Sequence, residues 1–573
     1  MKPRSVPGWL LPLAIVVLTG AIYLPTLGFE FVYDDYAQIV ETKQLNSWRM
    51  IPHYFTGHVW AWKTPGVPGP YYRPVFLLWL LANQLFFGLS PLWWHLTSVL
   101  THLGVTLLVY ALATKLSGDR WVGAIASLLF GVHPAHLESV AWVSGITDPL
   151  LAVFLLGAML CYLRREPKWQ LASLALYGIA LLEKETAVIL PCLIFAHAWL
   201  FDTPAKASVH SRLKLSTAAA LPSIFLTSIY LGLRLSVLHA LSIVITPVPW
   251  RDMAFTWPSM FVFYLRHLVW PGGLSVLYSL PVLHRPDLWH FAVPCLILAA
   301  VASVLVLWSL RSPVAAFSSL ILFLPLLPAM NLRTFARVEV VHDRYLYLPS
   351  IGFAILVALA LRNIRVGPRR LAGHPVLQWA LLLLLSSGLA FGVIQQGQYW
   401  SNNLSLFTRA VSVAPNNEIA NQCLGTALLL HGRTADAVPY YMRALESNPN
   451  MPDAQYSLGR CFYELGMYAD SEAHFERAAS LQPYNSKPYL YYGLAKFREG
   501  QLDLAERALR YAIRIKGPDD YREYHLSLGL VLQQKGAFPE ALREFEAEAL
   551  ENPDPSKALQ HIAEVQGMSR SRR

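Results

Sequence analysis

Between residues 9 and 396 the chain carries one long apolar run after another, and beyond residue 402 it carries none. An apolar run of about 20 residues is read as a membrane-spanning helix, because hydrocarbon offers backbone N–H and C=O groups no partner outside the segment. Eleven stretches qualify: 9–27, 94–115, 121–134, 148–163, 169–182, 186–201, 215–237, 291–310, 313–331, 345–361 and 376–396. Only 14% of the residues are charged, against about 25% in a typical soluble domain, so a bilayer is the natural solvent for this part. The expected fold is all-α: a polytopic transmembrane helical domain over 1–400, a water-soluble domain over 401–560, and a basic tail over 561–573.

Orientation follows from the basic residues. The first run follows Lys2 and Arg4, but it is too long for a signal peptide and has no small-residue cleavage site before Phe29, so it reads as an uncleaved anchor. With the N-terminus in the cytoplasm, the cytoplasmic loops hold Lys115 and Arg120; Arg164, Arg165 and Lys168; Lys206, Arg212 and Lys214; Arg311; then Arg362, Arg365, Arg369 and Arg370. That is the positive-inside pattern. An odd number of spans then sends the C-terminal domain to the other side, with segments 28–93, 135–147, 183–185, 238–290 and 332–344. Stretches 75–89 and 253–271 are short, aromatic and interrupted by polar residues, which suits helices lying at the interface.

The net charge of +10 is accounted for by these loops, so nucleic acid is not an expected partner. Cys161, Cys192, Cys295, Cys423 and Cys461 have no paired ligand spacing and indicate neither a disulfide framework nor a zinc site.

The last third repeats itself. Gly425, Gly459 and Gly493 stand 34 residues apart, with Gly529 a further 36 on, and Gly432, Gly466, Gly500 and Gly536 repeat the series. Small and aromatic residues recur where paired helices must approach, as at Ala437, Tyr441, Ala444 and Pro449, and again at Phe475, Ala478 and Pro483. This period and pattern indicate a solenoid of tetratricopeptide repeats. Phe407, Ala410 and Pro415 precede Tyr441, Ala444 and Pro449 by 34 residues, so a half repeat begins almost at the last span.

Four clusters on the non-cytoplasmic side could carry chemistry. In FVYDDYAQIV, Asp34 and Asp35 are adjacent carboxylates at the membrane surface; mutual repulsion can raise one pKa and leave the other as a base, or the pair can simply open a solvated loop or cap a helix. HPAHLESVAWVSGITDPLL gathers His133, His136, Glu138 and Asp148, ionisable residues near membrane depth that are functional or paired. Nothing at zinc spacing completes a metal site around the two histidines. Glu183, Lys184 and Glu185 interrupt two spans, while HDRYLYLP places His342, Asp343 and Arg344, and YYRPV places Arg73, beside other span entrances. Such cations suit a lipid-linked phosphate, or snorkel to headgroups. No phosphate-binding glycine loop, nucleophile elbow or dinucleotide fingerprint is present.

Taken in order, these elements resemble the transmembrane and tetratricopeptide-repeat protein O-mannosyltransferases and their bacterial relatives, within the C-type (GT-C) glycosyltransferase fold. The resemblance rests on YDD after the first span, YRP, then Pro91, His95 and His102, HPxHxESVAWVSG, Lys184–Glu185, DRYLYLPSIGF, and the terminal repeats. It implies inverting transfer of a sugar, mannose in the family's name, from a polyprenyl-phosphate donor to a hydroxyl of protein, or alternatively of lipid or glycan. By that likeness Asp35 or Asp34 removes the acceptor proton, and Arg344, Arg73 or Lys184 holds the departing phosphate. Arg73, His133, His136, Glu138, Asp148, Lys184, Glu185, His342 and Arg344 form the expected donor and substrate site, with no metal and no cofactor.

The repeats are expected to recruit the acceptor. One departure from the family is SGITD, where Ile146 and Thr147 stand in a stretch in which relatives commonly carry a basic residue. A repeat scaffold without activity is the alternative from another class. Few repeats, short loops and no retention signal after Arg573 favour a bacterial inner membrane with the repeats in the periplasm; the endoplasmic reticulum membrane with lumenal repeats is the alternative.

Overall fold

A computed structural model describes residues 9–571 apart from 43, 63–68, 205–206, 242, 336–337, 367–368, 518–519 and 521. Lys2, Arg4, Lys206 and Arg573 therefore lie outside the described residues. The chain divides into two compact units, Met1–Val413 and Ala414–Arg573.

The first unit is helical because its apolar runs have no other way to satisfy their backbone in hydrocarbon. All eleven expected stretches contain helix. Among the described residues, eight are long and apolar enough to cross a membrane: Leu10–Gly28, Pro91–Ser117, Val143–Tyr162, Glu185–Asp202, Val209–Leu238, Leu288–Ser309, Pro313–Met330 and Val376–Trp400. The other three are shorter, Arg120–Gly131 with 12 residues, Pro167–Glu183 with 17 and Pro349–Arg362 with 14. At 1.5 Å per residue, 12 residues cover about 18 Å of a core about 30 Å thick. Arg120–Gly131 is buried along nearly its whole length, so neighbouring helices shield its ends. Stretches 75–89 and 253–271 form helices Pro74–Phe87 and Trp250–Val269, neither of them among the eight.

Helix starts follow sequence signals. Proline occupies the first turn of the helices beginning at Pro74, Pro91, Pro167, Pro313 and Pro349, where its missing N–H costs nothing. Asp119 caps Arg120–Gly131 by accepting from the Trp121 N–H at 2.8 Å, and its other oxygen accepts from Arg362 at 2.6 Å. That ion pair ties two of the short helices together among loops expected to be cytoplasmic.

The second unit is a solenoid of helix pairs: Glu418–Leu430 with Thr434–Ser447, Pro452–Glu464 with Tyr468–Leu481, Ser486–Arg498 with Leu502–Ile515, and Tyr524–Gln534 with Phe538–Glu551, closed by Ser556–Ser571. Gly432, Gly466, Gly500 and Gly536 turn each pair with φ of 71° to 79°, a conformation open to glycine. Gly459 lets its pair close: a Cβ there would stand 2.8 Å from the Phe475 ring. The helix Asn403–Val413, which carries the half-repeat residues Phe407 and Ala410, belongs to the first unit.

A carboxylate and three backed cations in one cavity

The YDD turn is built by strain that its neighbours hold in place. Tyr33 has φ of 54°, a left-handed conformation that costs a non-glycine residue about 1–2 kcal/mol. Its N–H donates to the Asn403 side chain at 2.8 Å, its hydroxyl to Glu339 at 3.1 Å, and its ring packs on Trp142 and Phe407 at 5.7 Å each. The turn sends adjacent aspartates in different directions. Asp34 lines a cavity of about 310 Å³. Asp35 is fully buried outside that lining, one oxygen accepting from the Ser144 N–H at 2.8 Å and hydroxyl at 2.6 Å, the other from the Val32 N–H at 3.1 Å. Burial pushes the Asp35 carboxyl up to about 7 despite these three donors.

Three cations line the same cavity, each with a carboxylate bound to it. Arg73 makes a forked contact with Glu185, at 2.6 and 3.2 Å. Lys184 sits 2.7 Å from both oxygens of Asp148, and both side chains are buried. Arg344 donates to Glu138 through its side chain and, at 2.9 Å, through its backbone N–H. Burial works against the charge on Arg73 and Arg344, but Glu185 and Glu138 outweigh it and hold both guanidiniums above their usual range. Aromatic faces complete the cradle: Arg344 stands 5.5 Å from the Trp142 ring and 5.3 Å from Tyr345, Lys184 5.4 Å from Tyr345, and Arg73 4.3 Å from Tyr71. His342 also lines the cavity, with Nδ1 3.6 Å from Glu138.

Of the residues singled out in the sequence, the cavity thus gathers Asp34, Arg73, Lys184, His342 and Arg344 in its lining and Glu138, Asp148 and Glu185 as their ion-pair partners. It does not gather His133 and His136. His133 Nε2 pairs with the Leu268 carbonyl at 3.0 Å, and His136 Nε2 with the Ser350 hydroxyl at 2.8 Å, within an aromatic cluster of Phe130 and Tyr347. The segment HPAHLESVAWVSG, a succession of short helical turns, acts instead as a brace: it is buried throughout and supplies Ser144 to Asp35, Glu138 to Arg344 and Trp142 to the cavity wall. Glu339 escaped sequence reasoning; Tyr71, Trp142, Ser144 and Tyr345 lie inside quoted motifs but carry no charge to mark them. Among the described residues no group of three or more His, Cys, Asp or Glu could hold a metal ion.

A second cavity, of about 320 Å³, adjoins this wall; it shares Pro70, Tyr71, Lys184 and Tyr345 with it and is lined by Val188, Leu231 and Leu327 farther out. A separate apolar groove of about 960 Å³, walled by Phe195, Ile224 and Leu320 among others, shares the helix Val209–Leu238 with this second cavity but no lining residue among those described.

A tetratricopeptide repeat family model matches residues 424–486 and 493–557. Over its length the chain is similar to protein O-mannosyl-transferase TMTC3 of Mus musculus, 27% identical over 90% of this chain and 61% of the relative. It is likewise similar to TMTC1 of Homo sapiens, 28% identical over 78% of this chain and 56% of the relative, and to F38B6.6 of Caenorhabditis elegans, 26% identical over 76% and 63%. The chain spans about three fifths of the length of these relatives. The resemblance carried by the ordered motifs is thereby shown for an integral-membrane chain ending in tetratricopeptide repeats.

Proposed function

We propose that this relative of the protein O-mannosyl-transferases is a membrane glycosyltransferase that moves a sugar, mannose by its likeness, from a polyprenyl-phosphate donor to a hydroxyl of protein. The observation that carries the reading is that Asp34 shares a 310 Å³ cavity with Arg73, Lys184 and Arg344, each cation already held in place by a carboxylate. A cation fixed in this way needs no rearrangement when charge develops beside it.

Asp34 accepts the proton of the acceptor hydroxyl as its oxygen bonds to the anomeric carbon. The bond from that carbon to the phosphate oxygen breaks on the opposite face, which inverts the configuration. Its electron pair leaves with the phosphate, next to the three cations. Arg73 spends Nε and Nη2 on Glu185, so Nη1 is left for the phosphate. Asp35 takes no proton in this scheme; buried on Ser144 and Val32, it fixes the turn that presents Asp34. Arg73, Lys184 and Arg344 meet the cationic need that SGITD leaves open. A lipid-linked donor is supported by the side cavity at Lys184 and Tyr345 and by the separate apolar groove farther along the helix Val209–Leu238, room for a headgroup phosphate and an isoprenoid tail.

The proposed architecture is a C-type glycosyltransferase domain of eleven spans over about 1–400, with the repeats of about 401–560 recruiting acceptor on the non-cytoplasmic side. The proposed home is the bacterial inner membrane, with the repeats in the periplasm. The test is transfer of labelled mannose from polyprenyl-phosphate mannose to a threonine-bearing peptide by the full chain in liposomes. Transfer by the parent and its loss in Asp34→Asn is the expected result. A properly inserted parent that transfers to neither peptide, lipid nor glycan leaves the repeat scaffold as the better reading.

A further inference from the structure

Resting on that reading, the arrangement of the cavities also fixes a direction of entry. The central cavity meets the donor-side cavity at Pro70, Tyr71, Lys184 and Tyr345. It meets another cavity, of about 390 Å³, at Gln38 and Val59. These two flanking cavities have no lining residue in common among the described residues. Inverting displacement needs the attacking oxygen and the leaving phosphate on opposite faces of the sugar. If the phosphate comes in beside Lys184, the hydroxyl comes in past Gln38, four residues and one turn beyond Asp34.

We propose that the cavity walled by Gln38, Thr42, Gln44, His53, Thr56 and His58 is the acceptor subsite, and that it takes a neutral, hydroxyl-bearing stretch of polypeptide with a Ser or Thr pointing at Asp34. Gln38 is the positioning residue at the passage. Its Oε1 is buried and has no hydrogen-bond partner among the described residues, an acceptor awaiting a donor such as a peptide N–H. Thr42, Gln44 and Thr56 furnish further donors and acceptors, and among the described lining residues none is Asp, Glu, Lys or Arg. The apolar Met50, Leu77 and Leu80 give the flanking side chains of a peptide somewhere to pack.

The test uses the full chain in liposomes with polyprenyl-phosphate mannose as donor, and a threonine-bearing peptide or methyl mannoside as acceptor. Gln38→Met keeps the shape and removes the carbonyl; the exposed His53→Ala is the second variant, at a position where the fold tolerates change. For both, KM for the peptide is expected to rise about tenfold or more while KM for the donor stays within about twofold, the split that separates a lost acceptor contact from a damaged fold. An unchanged peptide KM in both variants, in a preparation whose parent transfers mannose, overturns the subsite and leaves the proposed function standing. Transfer to methyl mannoside but not to peptide, with KM for the mannoside rising in the variants, overturns the polypeptide occupant in favour of a glycan. A parent that transfers nothing refutes the proposed function itself.

Discussion

A proton can pass only to a carboxylate that shares the acceptor's cavity, so Asp34→Asn is expected to slow transfer by about 10²–10⁴-fold with little change in melting temperature. Asp35→Asn should do the reverse, losing stability first, because an amide cannot accept from both Ser144 and Val32. The pH dependence of stability separates them too. Asp35 ionises at about 7 in the folded chain, against the ordinary carboxyl value near 4 when unfolded. Its contribution is therefore complete below about pH 4 and is lost as pH rises towards and through 7, of the order of a few kcal/mol in all. Melting of the detergent-solubilised protein from pH 5 to 8 should fall with pH, and Asp35→Asn should flatten that slope. Lys184→Met strands the buried Asp148 and is expected to cost about 3–5 kcal/mol; adding Asp148→Asn should restore the melting temperature without restoring transfer.

At the scale of elements, charge in the buried segment 133–145 is spent on positioning. Its backbone is a succession of short helical turns, Pro134–His136, Leu137–Val140 and Val143–Ile146, and the breaks between them let Glu138, Trp142 and Ser144 face different partners within seven residues. In the solenoid the same economy falls to glycine. Gly459→Val drives a side chain into Phe475, already 2.8 Å from where a Cβ would begin, and overpacking of this kind costs about 1–3 kcal/mol. Urea denaturation of residues 414–573 with and without the substitution measures it. A change at the exposed Leu550, on the last repeat's second helix, should stay within about 0.5 kcal/mol.

Over the whole molecule, the two compact units divide at Val413 and Ala414, and residues 414–573 are expected to fold alone into a helical fragment with a cooperative melt by circular dichroism. A disordered fragment would mean that the solenoid depends on the membrane unit. Sidedness is tested separately. A reporter active only in the cytoplasm, fused after Arg573, should be silent, because the basic loops hold the N-terminus inside and an odd number of spans carries the end across. Activity there would make the number of spans even, either by removing the short Arg120–Gly131 or by adding Pro74–Phe87 or Trp250–Val269.

What the sequence determined by itself was everything governed by local periodicity and composition: which stretches become helices, where a repeat closes on its glycine, and which charged residues sit at span ends. A run of apolar residues or a 34-residue period is written in neighbours along the chain, and the solvent selects the rest. The tertiary structure alone decided what the charged residues do for one another. Lys184 and Asp148 lie 36 positions apart, Arg73 and Glu185 112, Arg344 and Glu138 206, and no spacing rule joins such pairs. Nor did adjacency distinguish Asp34 from Asp35; the left-handed turn at Tyr33, held by Asn403 and Glu339 from distant parts of the chain, is what faces one carboxylate to the cavity and buries the other.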